Sequence, residues 1–174
     1  MTKKAGNTKK QTANTPILVP TDFSDHSVEA LAYAAELADL MKRPIAVLHI
    51  VHDPASAPGY YRRDTEEGDD RTMDALAGEM MNEFLEKAKK AAPHLDLDKL
   101  DVHLLDGVPS KRIVEYAKMI DAYMIVMGSH GHRGAKALLI ASKAKMVIKY
   151  APMPVTIVKA REVRENMEKK GTRS

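Results

Sequence analysis

The chain contains no cysteine and no tryptophan, and only 5% of its residues are aromatic. Without cysteine there is no disulfide framework and no thiolate metal site. Long apolar runs are also missing. The segment Pro44 to Val51 (PIAVLHIV) is among the longest, far short of the roughly 20 residues that span a bilayer. Lysines crowd the first ten residues without an apolar stretch behind them, so no secretory signal is expected. No internal repeat is visible. HExxH and Walker-type lysine motifs are absent as well.

What is present is the composition of a globular domain: 174 residues, 44% apolar and 29% charged. The net charge of +3 is unevenly placed. Residues 1–15 carry Lys3, Lys4, Lys9 and Lys10 with no acid, and the last sixteen or so residues are also rich in basic side chains. The body between them is therefore mildly acidic. A nucleic-acid binder places a basic stripe, often with stacking aromatics, on its folded face. Neither is seen here. We expect a basic tail at 1–15, one domain at 16–159 and a charged tail at 160–174, with both tails solvated and disordered.

Strands and helices alternate along the domain. Ile17-Leu18-Val19-Pro20 reads as a buried strand, and Ser24 is positioned to cap a helix marked by Val28, Leu31, Ala35 and Ala38. Pro44 to Val51 is apolar enough for a strand covered on both faces. Residues 52–69 form a long connection, and a helix over about 70–92 follows, ended by Pro93. Its Met73, Met80 and Met81 read as core filler. Leu100 to Leu105 alternates apolar and polar, which suits a strand near an edge. Gly107 and Pro109 open a third helix, Ala122 to Met127 is a fourth strand, and a helix around Ala144 and Val147 leads to a fifth strand at Pro154 to Val158. The pattern predicts an α/β fold, a doubly wound, five-stranded parallel sheet with helices on both faces, and the strand order we expect is 3-2-1-4-5.

In such sheets ligands bind beyond the carboxyl ends of the strands, where the strand order reverses. Three segments meet that condition: Pro20-Thr21-Asp22, Ile50-Val51-His52, and Met127-Gly128-Ser129-His130-Gly131. Gly128, Gly131 and Gly134 let backbone approach a ligand. Ser142 falls at a helix N-terminus, where free amides and the helix dipole favour an anion. Together they outline a phosphate cradle. The same spacing fits a strand–helix loop whose glycines serve only tight turns, and spacing does not separate the two. His132, Arg133 and Lys136 fit phosphate contacts or an exposed basic loop equally well. Asp25-His26-Ser27 lists triad residue types in a row, but consecutive helical residues diverge, so they read as a solvated first turn. Tyr60 and Tyr61 in the long loop fit a cover over a base, or burial on a neighbouring helix.

The stretch MGSHGHRGAKALLIASKAKMVIKYAPMPVTIV (127–158), with ILVPTDFSDHS (17–27) and VLHIV (47–51), resembles the universal stress protein family. Members that bind ATP carry Gly, two residues, Gly, nine residues, then Gly and Ser or Thr. Gly128, Gly131 and Ser142 match this pattern, and Ala141 replaces its last glycine. The resemblance implies ATP as ligand, with Asp22 near ribose and phosphates and Ile50 at the adenine. Pro20, Thr21, Met127, Ser129, His130, His132 and Arg133 complete the expected site. It also implies a cytoplasmic stress-response module and a homodimer paired along the fifth strand through Val155 and Ile157. Any Mg²⁺ is expected on the phosphates, through Asp22 or Ser142. Two alternatives stay open: a nucleotide-free interaction protein of the same fold, its loop sealed by Ala141, and a weak ATPase.

Overall fold

The computed structural model describes residues 15–51, 72–129 and 142–159. Five strands and four helices alternate: β1 (Ile17–Thr21), α1 (Asp25–Met41), β2 (Ile45–Val51), α2 (Met73–Ala91), β3 (Leu100–Asp106), α3 (Pro109–Met119), β4 (Met124–Gly128), α4 (Ser142–Tyr150) and β5 (Val155–Val158). All strand pairs are parallel, in the order β3-β2-β1-β4-β5. Fold class and strand order are therefore those expected.

Period-two alternation divides the apolar side chains between two cores. Ile17, Val19, Ile45, Val47, Met124 and Val126 point to one face, where α1 and α2 cover them with Leu31, Ala34, Met81 and Phe84. Leu18, Leu48, Ile50, Ile125 and Met127 point to the other, beneath α3 and α4. The inner strands β2, β1 and β4 are buried along their whole length, as continuous apolar runs require. The alternating strand β3 is at the edge, where Val102 stays 37% exposed.

Caps set the helix ends. Ser24 begins α1 in an extended conformation (φ −74°, ψ 160°), and its side chain accepts from the Ser27 amide. Thr72 does the same for α2 through the Ala75 amide. Such caps contribute about 1 kcal/mol each. Pro109 occupies the first turn of α3, where its missing N–H is not needed. Met81 is buried, and Met73 and Met80 pack against the core, so the methionines of α2 are core filler.

Element boundaries differ from expectation by a few residues in several places. β4 begins at Met124, because the chain turns through Asp121 at φ 51° and the Tyr123 amide binds the Pro16 carbonyl at 2.8 Å. β5 begins at Val155: Pro154 has no N–H to give, yet its carbonyl accepts from the Ile125 amide at 2.9 Å. A 3-10 turn at Leu97–Lys99, capped by Asp96, precedes β3 and was not foreseen. The connection containing Tyr60 and Tyr61 and the two tails lie outside the described residues, apart from Thr15. No described helix is long and apolar enough to cross a membrane.

Candidate functional site

The chain leaves β1 for β2 and β3 on one side, then returns to place β4 and β5 on the other. The order therefore reverses between β1 and β4, and the crevice above that point is where open α/β sheets take ligands. Three residues top the inner strands on the face toward α3 and α4: Ile50 on β2, Pro20 on β1 and Met127 on β4. Pro20 shares its face with Leu18 two residues earlier, and Leu18 pairs with Ile125 in β4. All three are buried, Ile50 to 3% and Met127 to 8% exposure. Adjacent strands lie about 4.8 Å apart, so the row is about 10 Å wide. It forms an apolar row at the carboxyl end of the sheet.

Beside this row, Thr21 to Ser24 folds into a compact turn. The Thr21 hydroxyl accepts from the Phe23 amide at 2.9 Å. One carboxylate oxygen of Asp22, Oδ1, accepts from the Ser24 hydroxyl at 2.6 Å, the Ser27 hydroxyl at 2.8 Å and the Ser24 amide at 3.3 Å. The Asp22 amide donates to the Ser27 hydroxyl at 3.3 Å. The carboxylate thus sits at the N-terminus of α1, on the favourable side of its dipole. Phe23 adopts φ 63°, in the left-handed region that a bulky side chain rarely enters. Holding it there costs on the order of 1–3 kcal/mol. Packing holds it: the ring stacks on His49 at 4.1 Å between centroids and leans on Phe84 at 6.0 Å.

His49 is 2% exposed. Its Nδ1 lies 2.8 Å from the Thr21 carbonyl oxygen. A carbonyl only accepts, so Nδ1 carries the proton and donates. Among the described residues no group of three His, Asp or Glu side chains is placed to hold a metal.

The first turn of α1 corrects the sequence reading. Asp25 is exposed, but Ser27 is 4% exposed and tied to Asp22, so the turn is not merely solvated. Ser24, Ser27 and His49 are the residues that sequence reasoning missed as site architecture. The available signal was Thr-Asp-x-Ser-x-x-Ser at the end of a strand, a pattern of short side chains that bond nearby backbone.

Gly128 has a packing role in the fold. A Cβ on it would lie 2.9 Å from the carbonyl carbon, carbonyl oxygen and Cβ of His26. The glycine admits the backbone of α1. The next residue, Ser129, is 2% exposed and its amide donates to the Val158 carbonyl at 2.9 Å. Ser142 heads α4 and is exposed. His130, Gly131, His132, Arg133, Lys136 and Ala141 lie outside the described residues. Val155 and Ile157 sit on the edge strand β5, partly buried against the α3/α4 core.

The universal stress protein family model matches residues 13–159. The chain belongs to the universal stress protein family. Universal stress protein MJ0531 of Methanocaldococcus jannaschii is 36% identical over 143 residues, covering 82% of this chain and 81% of that protein. The universal stress protein of Archaeoglobus fulgidus in complex with dAMP is 29% identical, with TM-score 0.56 over 83% of this chain and 98% of that one. UspA from Lactobacillus plantarum, at 23% identity and TM-score 0.63, covers 83% and 97%. That last likeness shows the family's fold.

Proposed function

We propose that this universal stress protein binds an adenine nucleotide, ATP with Mg²⁺, at the switch point between β1 and β4, and acts as a cytoplasmic regulatory module in the stress response. The observation that carries the reading is the shared face of Pro20, Ile50 and Met127 at the carboxyl ends of three adjacent strands. The base lies along this row, and Asp22 at its side faces the ribose and phosphates. Thr21, Gly128 and Ser129 line the approach. The loop holding His130, Gly131, His132 and Arg133, with Ala141 and Ser142 at its end, supplies the phosphate contacts. The residues fit the ligand in chemistry: an apolar row, an oriented carboxylate and the start of a nine-residue helix. The dAMP complex of the Archaeoglobus fulgidus relative supports an adenine ligand for this chain. Mg²⁺ is carried by the phosphates, with Asp22 or Ser142 as its protein contact. The edge strand β5, with Val155 and Ile157, supplies the pairing surface of a homodimer, which removes an exposed sheet edge.

A second reading follows from Ala141, which stands where the ATP-binding pattern has glycine. There the fold serves as an interaction protein without nucleotide. Calorimetric titration of the full chain with ATP and Mg²⁺, beside Ala141→Gly, separates the two. Micromolar binding by the native chain is the expected result. Absence of binding in the native chain with recovery in the variant overturns the proposal and leaves the interaction protein.

A further inference from the structure

We propose that His49 is the positioning residue of this site: through its bond to the Thr21 carbonyl it sets the shape of the turn that presents Asp22. The inference rests on the nucleotide reading only for what Asp22 faces. His49 lies on the face of β2 opposite the apolar row. It shares the α1/α2 face of β2 with Val47, while its neighbour Ile50 looks to the opposite face. An aliphatic side chain is what that apolar core otherwise uses, and a buried imidazole is unfavourable there unless hydrogen-bonded. The bond to Thr21 at 2.8 Å satisfies its Nδ1.

The same ring acts twice on the turn. Its Nδ1–H fixes the last carbonyl of β1, the point where the chain leaves the sheet. Its flat face lies against Phe23, with 4.1 Å between centroids and 27° between planes. Phe23 is the left-handed residue of the turn. With the Thr21 carbonyl fixed before it and Ser24 capping α1 after it, the Asp22 carboxylate is held on Ser24 and Ser27. Removing the donor frees the Thr21 carbonyl and lets Phe23 relax toward negative φ, which carries Asp22 off its serine partners. The effect reaches the ligand through Asp22 alone.

Asparagine and leucine share the same branched side-chain skeleton, and only asparagine keeps an N–H close to the place of Nδ1. His49→Asn and His49→Leu therefore form the test. Two quantities are read on the full chain: backbone amide resonances and exchange rates of Phe23, Ser24 and Ser27 without ligand, and affinity for ATP with Mg²⁺. In His49→Leu the three amides shift and exchange faster while the rest of the sheet keeps its native signals, and affinity falls about tenfold. In His49→Asn, which keeps the donor but loses the ring against Phe23, the turn amides and the affinity fall between those of the native chain and those of the leucine variant. Native turn amides in the leucine variant overturn the inference, as do changes spread through the whole sheet, or an asparagine variant as loosened as the leucine one. If the native chain binds no ATP yet the turn amides respond as described, the nucleotide reading fails and the hold of His49 on the turn stands.

Discussion

Gly128→Ala tests how closely α1 is set against β4. The added Cβ would meet the carbonyl carbon and oxygen of His26 at 2.9 Å. Carbon atoms in ordinary contact sit about 3.5–4.0 Å apart, so half an ångström or more must be found. Two of the three nearest atoms are backbone, so no rotamer change releases the clash. The helix itself must move, and Ala30, Leu31 and Ala34, all fully buried, anchor it to the sheet. Overpacking of this kind costs about 1–3 kcal/mol, which for a domain of this size lowers Tm by about 2–12 °C. Urea unfolding followed by circular dichroism measures it, with Gly78→Ala as control. Gly78 lies in the interior of α2 and its Cβ would meet nothing within 4 Å. That substitution stabilises by about 0.5–1 kcal/mol through the reduced freedom of the unfolded chain. A Gly128→Ala protein within about 0.5 kcal/mol of native would refute the close approach of α1. Because the displaced turn of α1 carries Ser27, nucleotide affinity is expected to fall together with stability.

Ser27→Ala removes both hydroxyl bonds to Asp22, and we expect a loss of about 1–2 kcal/mol in urea unfolding with weaker ATP binding; unchanged affinity would show that Asp22 is held without Ser27. Phe84→Ala takes away the buried ring beneath Phe23 and should cost about 3–5 kcal/mol, readable as a shift in the urea midpoint; a loss below about 1 kcal/mol would contradict its place in the core. Burial first, and the Asp101 carboxylate second, hold the Tyr116 phenol above its ordinary value of 10.0. Below that pH both folded and unfolded chains keep the proton, and above it the unfolded chain ionises first, so stability falls as pH rises through that range. Tyr116→Phe is expected to flatten this alkaline limb of the stability profile, and an identical slope in both proteins would dismiss the effect.

Much of the architecture is local information. Apolar runs at 17–20, 44–51 and 122–127 can be buried on both faces only inside a sheet, and the alternating run at 100–105 suits only a strand with a wetter side. The structure puts β2, β1 and β4 in the middle and β3 at the edge for those reasons. The site was legible in part. Pro20, Ile50 and Met127 were named from strand ends, and strand periodicity puts them on one face. Ser24 was legible as a cap because capping depends on its neighbours alone.

The remainder depends on pairs distant in sequence. Gly128 reads as a motif glycine, yet its nearest obstacle is the His26 backbone, and that distance arises only when α1 packs on β4. His49 reads as one of several scattered histidines until β1 and β2 pair in register and bring Thr21 beside it. Phe23 gives no hint of positive φ, since a bulky residue avoids it unless surrounding rings hold it there. Composition and periodicity were enough to determine element order and which strands lie inside the sheet. Tertiary structure alone decided which side chains hold the crevice in shape, because those contacts exist only after the sheet and its helices have closed around them.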